Sequence, residues 1–116
     1  MGEDCTNVVF EIIRRHYTLR RLDISRNEQL GHKIDIIFRA LSDNEVLTDV
    51  NLSMIPVDKN LDIAKLKTFL KSNGQLLHID LSGMFESSEH VKGIVKSIKK
   101  SKNLLAIHLD NTPIIR

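Results

Sequence analysis

One short pattern occurs four times in the sequence at almost constant spacing, and this repetition constrains the fold more than any other feature. Each copy is seven residues long and has an aliphatic residue at its first, fourth and sixth positions. The copies begin at Leu19, Leu47, Leu76 and Leu104, so successive copies start 28, 29 and 28 residues apart. A period of this length predicts a repeat protein in which each copy belongs to one structural unit.

The alternation inside each copy predicts a β-strand, because side chains two residues apart point to the same side of a strand. The fourth and sixth positions are therefore expected to face a core, and the residues between them to face solvent. We predict strands near residues 21–25, 49–53, 78–82 and 106–110. One such strand cannot bury its apolar side alone, but parallel copies placed side by side can.

The segments between these strands carry apolar residues at helical spacing and are predicted to be helices. Their apolar residues are Leu30, Ile34, Ile37, Phe38 and Leu41 in the first, Leu61, Ile63, Leu66, Phe69 and Leu70 in the second, and Val91, Ile94, Val95 and Ile98 in the third. Asn60 and Ser88 are predicted N-caps, and Asn73-Gly74 is the predicted end of the second helix. A leading helix from about Thr6 to Arg15 is predicted within an N-terminal cap of residues 1–18.

This pattern resembles the leucine-rich repeat family, and specifically its ribonuclease-inhibitor-like class, in which a strand and a helix alternate with a repeat of about 28 or 29 residues. The first repeat carries the resemblance best, as Leu19-x-x-Leu22-x-Ile24-x-x-Asn27 followed by Leu30-Gly31. The resemblance covers Leu19 to the end. It implies an α/β fold in one domain of residues 1–116, a right-handed solenoid with a short parallel sheet on the concave side and helices on the convex side.

The later repeats depart from the family at one position. In the family, the asparagine that follows the strand bonds backbone groups along the turn, and it is present here as Asn27. The matching residues in the later repeats are Ile55, Met84 and Thr112. Its loss predicts looser or irregular turns in those repeats.

The resemblance implies that the concave strand face binds a partner. The outward positions of the strands form three columns, namely Arg21, Asp49, His78 and Ala106; Asp23, Asn51, Asp80 and His108; and Ser25, Ser53, Ser82 and Asp110. Four aspartates against one arginine make this face mildly acidic, which indicates docking of a basic patch or segment. The alternative is that these are ordinary solvated strand residues. The candidate partner-binding residues are Arg21, Asp23, Asp49, Asn51, His78, Asp80, His108 and Asp110.

Catalysis and cofactor binding are not expected. His78, Asp80 and His108 are predicted neighbours that suggest a metal site or an acid–base pair, but an open sheet has no pocket that excludes water. The single cysteine, Cys5, rules out an internal disulfide and a multi-cysteine metal site. We therefore predict no enzyme activity, no metal and no cofactor. The other histidines, His16, His32 and His90, are predicted to lie at the surface.

A lysine-rich stretch offers a different function. Lys92, Lys96, Lys99, Lys100 and Lys102 cluster along and after the third predicted helix. The helix dipole favours cations near a C-terminus and explains several of them. The functional alternative is a surface for an acidic protein tail or nucleic acid. Nucleic acid is not the expected partner, because no aromatic residues are interleaved to stack on bases.

The sequence therefore predicts a protein–protein interaction module or scaffold subunit. The resemblance implies roles such as cytoskeletal assembly, actin regulation, ciliary structure or innate sensing, and does not choose among them. A second possibility is a regulator of an enzyme, such as an inhibitor or a GTPase activator. The arginines that this reading needs cluster at Arg14, Arg15, Arg20, Arg21 and Arg26, and nothing singles out a catalytic one.

The sequence also gives expectations about the cellular location of the protein and about what covers the last strand. The acidic, polar N-terminus is unlike a secretory signal, and no apolar run approaches the ~20 residues that span a membrane, so a cytoplasmic location without membrane contact is predicted. No predicted helix covers the last strand. Leu105, Ile107, Leu109, Ile114 and Ile115 are thus expected to be covered by further chain or by a partner.

Overall fold

The computed structural model describes residues 2–15, 18–72, 75–101 and 106–110. Helices and strands alternate along the chain. In order they are α1 (Gly2–Arg15), β1 (Arg21–Asp23), a 3₁₀ helix η1 (Glu28–Lys33), α2 (Ile34–Ser42), β2 (Asp49–Asn51), α3 (Ala64–Ser72), β3 (His78–Asp80), α4 (Ser88–Lys100) and β4 (Ala106–His108).

The four strands form one parallel sheet in the order β1-β2-β3-β4. Leu22, Val50, Ile79 and Ile107 lie side by side across it, one from each strand. Each strand has three residues, fewer than the five predicted, because side-chain turns end the first three strands, as described below.

The core lies between the sheet and the helices. Eight of the twelve aliphatic repeat residues are buried, namely Leu22, Ile24, Leu47, Val50, Leu52, Leu76, Ile79 and Leu81. Leu19, Ile107 and Leu109 are partly buried against the same cluster, whereas Leu104 lies outside the described residues. The buried helix residues, including Ile37, Leu66 and Ile94, belong to this cluster too. The helices therefore cover one face of the sheet, and the residues flanking Leu22, Val50 and Ile79 are on the other face.

Helix ends differ from the sequence predictions. Asn60 as an N-cap is wrong: α3 begins only at Ala64, whose backbone N–H donates to Asp62 Oδ1 over 2.8 Å. Helix α4 begins at Ser88, and its N-cap is Ser87, whose hydroxyl accepts the backbone N–H of His90 at 3.4 Å. Helix α1 begins at Gly2 rather than Thr6. The predicted stop at Asn73-Gly74 lies outside the described residues.

The predicted loosening of the turns after β2 and β3 is wrong. Arg26, Met54 and Gly83 occupy the same place in three repeats, and all have a positive φ, of 63°, 63° and 70°. Their backbone N–H groups donate to the next repeat over 2.8–2.9 Å. In the first repeat, the Asn27 side chain donates to the carbonyl oxygens of Ile24 and Ser25. Ile55 and Met84 stand at the Asn27 position and are buried in the core, so apolar packing holds these turns instead. Thr112 lies outside the described residues.

Asn44 fastens α1 to the rest of the chain. Its side-chain N–H donates to the carbonyl oxygen of Ile13 over 3.1 Å, and its Oδ1 accepts the backbone N–H groups of Val46 and Leu47. Ile13 is buried, whereas Val8 and Ile12 on the outer side of the helix are exposed. Within the described ranges, no helix has both the length and the apolar content needed to cross a bilayer.

Candidate functional site

The side of the sheet that carries no helices brings together most of the predicted binding residues. Arg21, Asp49, His78 and Ala106 are in register across the four strands. Asp23, Asn51, Asp80 and His108 are in register two residues later. Two of the three predicted columns are thus present in the sheet, while the third, which begins with Ser25, follows the strand ends.

These residues line a shallow depression of about 260 Å³ over the middle of the sheet. Seven of the eight predicted site residues contribute to it, and Asp110 does not. We call this surface the strand face; it comprises Arg21, Asp23, Asp49, Asn51, His78, Asp80 and His108.

The second column fixes the backbone at the strand ends. Oδ1 of Asp23, Asn51 and Asp80 accepts the backbone N–H of the residue two positions later, at 3.0, 3.0 and 2.9 Å. Such Asx turns replace the next step of the strand with a local hydrogen bond. The Ser25 hydroxyl also donates to Asp23 Oδ1, over 2.6 Å, and these hydrogen bonds from Ser25 lower the pKa of Asp23. These side chains therefore hold the turns and also contribute polar groups to the strand face.

The first column brings an acidic and a basic side chain into contact. His78 Nδ1 lies 3.1 Å from Asp49 Oδ2, and the Thr48 hydroxyl donates to Asp49 Oδ1 over 2.7 Å. The Thr48 hydrogen bond is the largest cause of a lowered pKa at Asp49, and the hydrogen bond from His78 and the charges of His78 and Arg21 lower it further. Asp49 is thus held as a carboxylate whose charge is partly balanced by its neighbours.

The arrangement offers polar recognition. Among the described residues, no three His, Cys, Asp or Glu side chains lie close enough to hold a metal ion. The depression is shallow, and polar groups on all four strands border it. Such a surface suits contact with another chain better than enclosure of a small molecule.

Not every predicted site or surface residue lies where it was expected. The prediction that His90 is at the surface is wrong: it is 8% exposed, its Nε2 donates to the Leu61 carbonyl oxygen over 2.7 Å, and its ring meets Phe85 edge-on. The side chain of His90 thus lies between α4 and the segment before α3, and its hydrogen bond to Leu61 joins the two. His32 is exposed on η1, and His16 lies outside the described residues.

Sequence reasoning missed the turn-forming role of the second column and the contact of Thr48 with Asp49. A signal for the turns is present, because Asp23-x-Ser25, Asn51-x-Ser53 and Asp80-x-Ser82 repeat an Asx residue followed two positions later by serine. Nothing in the sequence alone indicates Thr48, because its hydroxyl has to be oriented toward Asp49 by the backbone just before β2.

Parallel strands in chain order, each followed by helical structure packed on the same core, define an α/β fold of the leucine-rich-repeat type. The C-terminal domain of tropomodulin from Caenorhabditis elegans has a similar structure, with a TM-score of 0.79 over 92% of this chain. The two sequences are 12% identical, so the likeness concerns the fold alone, and this chain spans 65% of the length of that one. The sequence matches no protein-family model and no curated protein sequence.

Proposed function

We propose that this chain is a non-enzymatic protein–protein interaction module, or a scaffold subunit, that binds a basic segment of a partner through the strand face. The observation that carries the proposal is the row formed by Asp23, Asn51 and Asp80 at the edge of the depression. Adjacent strands are about 4.8 Å apart, so the two carboxylates of this row are separated by about 10 Å.

The turns prepare this row for binding. Because each Oδ1 is already hydrogen-bonded to the backbone, the orientation of the side chain is fixed before a partner arrives. Fixed side chains lose less conformational entropy on association than mobile ones. A segment with two cationic side chains about 10 Å apart fits this row, since three residues of extended chain cover that distance.

The sequence itself suggests variants that remove charge and keep the turns. Asn51 already makes the same Asx turn without a charge. Asp23→Asn with Asp80→Asn is therefore expected to fold like the unaltered protein while losing both carboxylates of the row. Asp58→Asn with Asp62→Asn is the matched control, because these aspartates accept the N–H groups of Asn60 and Ala64 in the same way, away from the sheet.

The test is an amide NMR titration with a synthetic oligolysine peptide. Exposed ion pairs contribute about 0.2–1 kcal/mol each, so the Asp23/Asp80 variant is expected to bind about 2- to 30-fold more weakly. The shifts are expected in β1, β2 and β3. Equal weakening in the Asp58/Asp62 control, or shifts confined to other elements, would contradict the proposal.

The finer classification is part of the same proposal. The repeat spacing of 28 or 29 residues supports placement in the ribonuclease-inhibitor-like class, with a right-handed coil and the strand face on its concave side. A cytoskeletal role and a cytoplasmic location are the settings we propose for the module. The cytoskeletal setting is one of the roles that the leucine-rich-repeat resemblance of the sequence implies.

A further inference from the structure

Helices α3 and α4 carry nearly all of their charge as lysine. Together they contain seven lysines, one glutamate and no arginine. In α4, the lysines at 92, 96, 99 and 100 recur at helical spacing and are all exposed, whereas His90, Val91, Ile94 and Ser97 are buried. The α4 lysines therefore point away from the core as one stripe.

A second row from α3 adjoins this stripe. Lys67 and Lys71 are one helical turn apart, and an alanine Cβ placed at Gly93 of α4 would lie 3.1 Å from Lys67 Cδ. The stem of Lys67 thus lies against α4 at the position of a glycine. We call the combined surface the lysine face; it comprises Lys67, Lys71, Lys92, Lys96, Lys99 and Lys100.

The helix dipole does not account for the whole face. Lys71, Lys99 and Lys100 are in the last turns of their helices, where a cation is favoured. Lys67, Lys92 and Lys96 are at interior positions ahead of the last turn, where the dipole gives a cation no such advantage. Lys92 has one weak neighbour of opposite charge, Glu89 at 3.5 Å. The interior positions leave a concentration of positive charge that folding alone does not require.

We propose that the lysine face binds a short acidic segment of a partner protein, independently of the strand face. The face is about 12 Å long from Lys92 to Lys100 and about 10 Å wide across two packed helices. An extended run of about four acidic residues spans this length at ~3.3 Å per residue. The helices cover the opposite side of the sheet from the strand face, so both surfaces are open to partners at once.

The charge on the rest of the chain favours a short ligand over a long polyanion. The chain has 17 Lys and Arg against 15 Asp and Glu; without the six lysines the remainder is 11 against 15, a net charge of −4. A duplex or an anionic bilayer extends beyond the face and gains no net attraction from the charge of this remainder. The face also lacks the arginines that pair bidentately with phosphate. Among the described residues, the exposed large apolar side chains are those of Val8, Ile12 and Met54, which belong to other segments.

The test is an amide NMR titration with a synthetic oligoglutamate peptide at low salt. Lys96→Gln with Lys99→Gln is expected to weaken binding about 2- to 30-fold, from two exposed ion pairs. The matched control is Lys59→Gln with Lys65→Gln, which removes the same charge outside the face; Lys65 is about 200° around α3 from Lys67. Thermal unfolding checks that each variant is folded. If the Lys96/Lys99 variant does not fold, Lys67→Gln with Lys71→Gln replaces it in the titration.

Shifts confined to α3 and α4, with the control binding like the unaltered protein, are the expected result. Failure of the peptide to bind at low salt overturns the proposal, as does equal weakening in the control. Tighter binding of duplex DNA or of phosphatidylserine vesicles than of oligoglutamate, at equal charge concentration, assigns the face to a phosphate-bearing partner and also overturns it.

Discussion

Asp49 and His78 are paired across neighbouring strands, with 3.1 Å between Asp49 Oδ2 and His78 Nδ1. Arg21 is in register with Asp49 on its other side. The carboxylate of Asp49 is therefore flanked by two basic side chains of the same surface, whereas Asp23 and Asp80 are held by turns in their own strands. We infer that the second column provides more of the attraction for a cationic partner than the first.

The pKa of Asp49 reports on the groups that surround its carboxylate. We expect it to lie below its ordinary value of 3.8 and to rise in Thr48→Val, because the Thr48 hydrogen bond is the largest cause of the lowering. A lowered pKa in the folded state gives stability that is present above the unfolded value and is lost as the pH falls through the folded one. Carboxyl ¹³C titration by NMR measures the shift. An unchanged Asp49 pKa in Thr48→Val would contradict this assignment.

Two glycines are expected to respond in opposite ways to alanine. A Cβ at Gly31 would lie 2.6 Å from the Pro56 carbonyl oxygen, a backbone atom of the next repeat, so Gly31→Ala is expected to lower the free energy of unfolding by about 1–3 kcal/mol. At Gly93 the contact is with the flexible stem of Lys67, and the gain in helix propensity is up to about 1 kcal/mol. Urea unfolding of both variants makes the comparison, and equal effects would contradict the tight contact between repeats.

The repeats fill the position of Asn27 in two ways, with an asparagine in the first repeat and a buried apolar residue in the next two. We expect Asn27→Ala to cost about 1–3 kcal/mol, because it removes hydrogen bonds to the carbonyl oxygens of Ile24 and Ser25. Ile55→Asn is expected to cost more, since Ile55 is fully buried and an amide there displaces core packing. Chemical unfolding of the two variants decides the order. If Ile55→Asn is harmless, the asparagine position is interchangeable between repeats, and our account of the later turns fails.

The repeat period and the strand alternation are sufficient to predict the sheet. A spacing of 28 or 29 residues fixes which strands are neighbours, and the two-residue alternation fixes which side chains share a face. The parallel pairing of Leu22, Val50, Ile79 and Ile107 follows from those two facts. Features that depend on contacts between repeats do not follow from the period. The apolar spacing of Leu61 and Ile63 looks helical, for example, but these residues precede α3, which begins at Ala64.

The sequence predicts which residues form the site better than it predicts what each of them does. Alternation places Asp23, Asn51 and Asp80 on one face, but whether such residues await a ligand or hold a turn depends on the backbone after the strand. The contact between Asp49 and His78 needed the register of two strands 29 residues apart. The lysine face likewise needed α3 beside α4, because its Lys67 and Lys71 are separated from the α4 lysines by a whole strand.

His90 provides the last prediction, because its burial contradicts what its place near a helix start suggests. His90→Leu keeps an apolar side chain at the site but removes the N–H that donates to the Leu61 carbonyl oxygen. The part-buried Leu61 carbonyl oxygen then lacks this donor, but the substitution also removes His90 Nδ1, which is buried and has no hydrogen-bond partner among the described residues. We therefore expect a loss of about 1 kcal/mol in the free energy of unfolding. His32→Leu, at an exposed position, is the control and is expected to change it by less than about 0.5 kcal/mol. Equal effects would mean that the hydrogen bond contributes nothing; a selective loss at His90 means that this bond, together with apolar packing, joins α4 to the repeat before it.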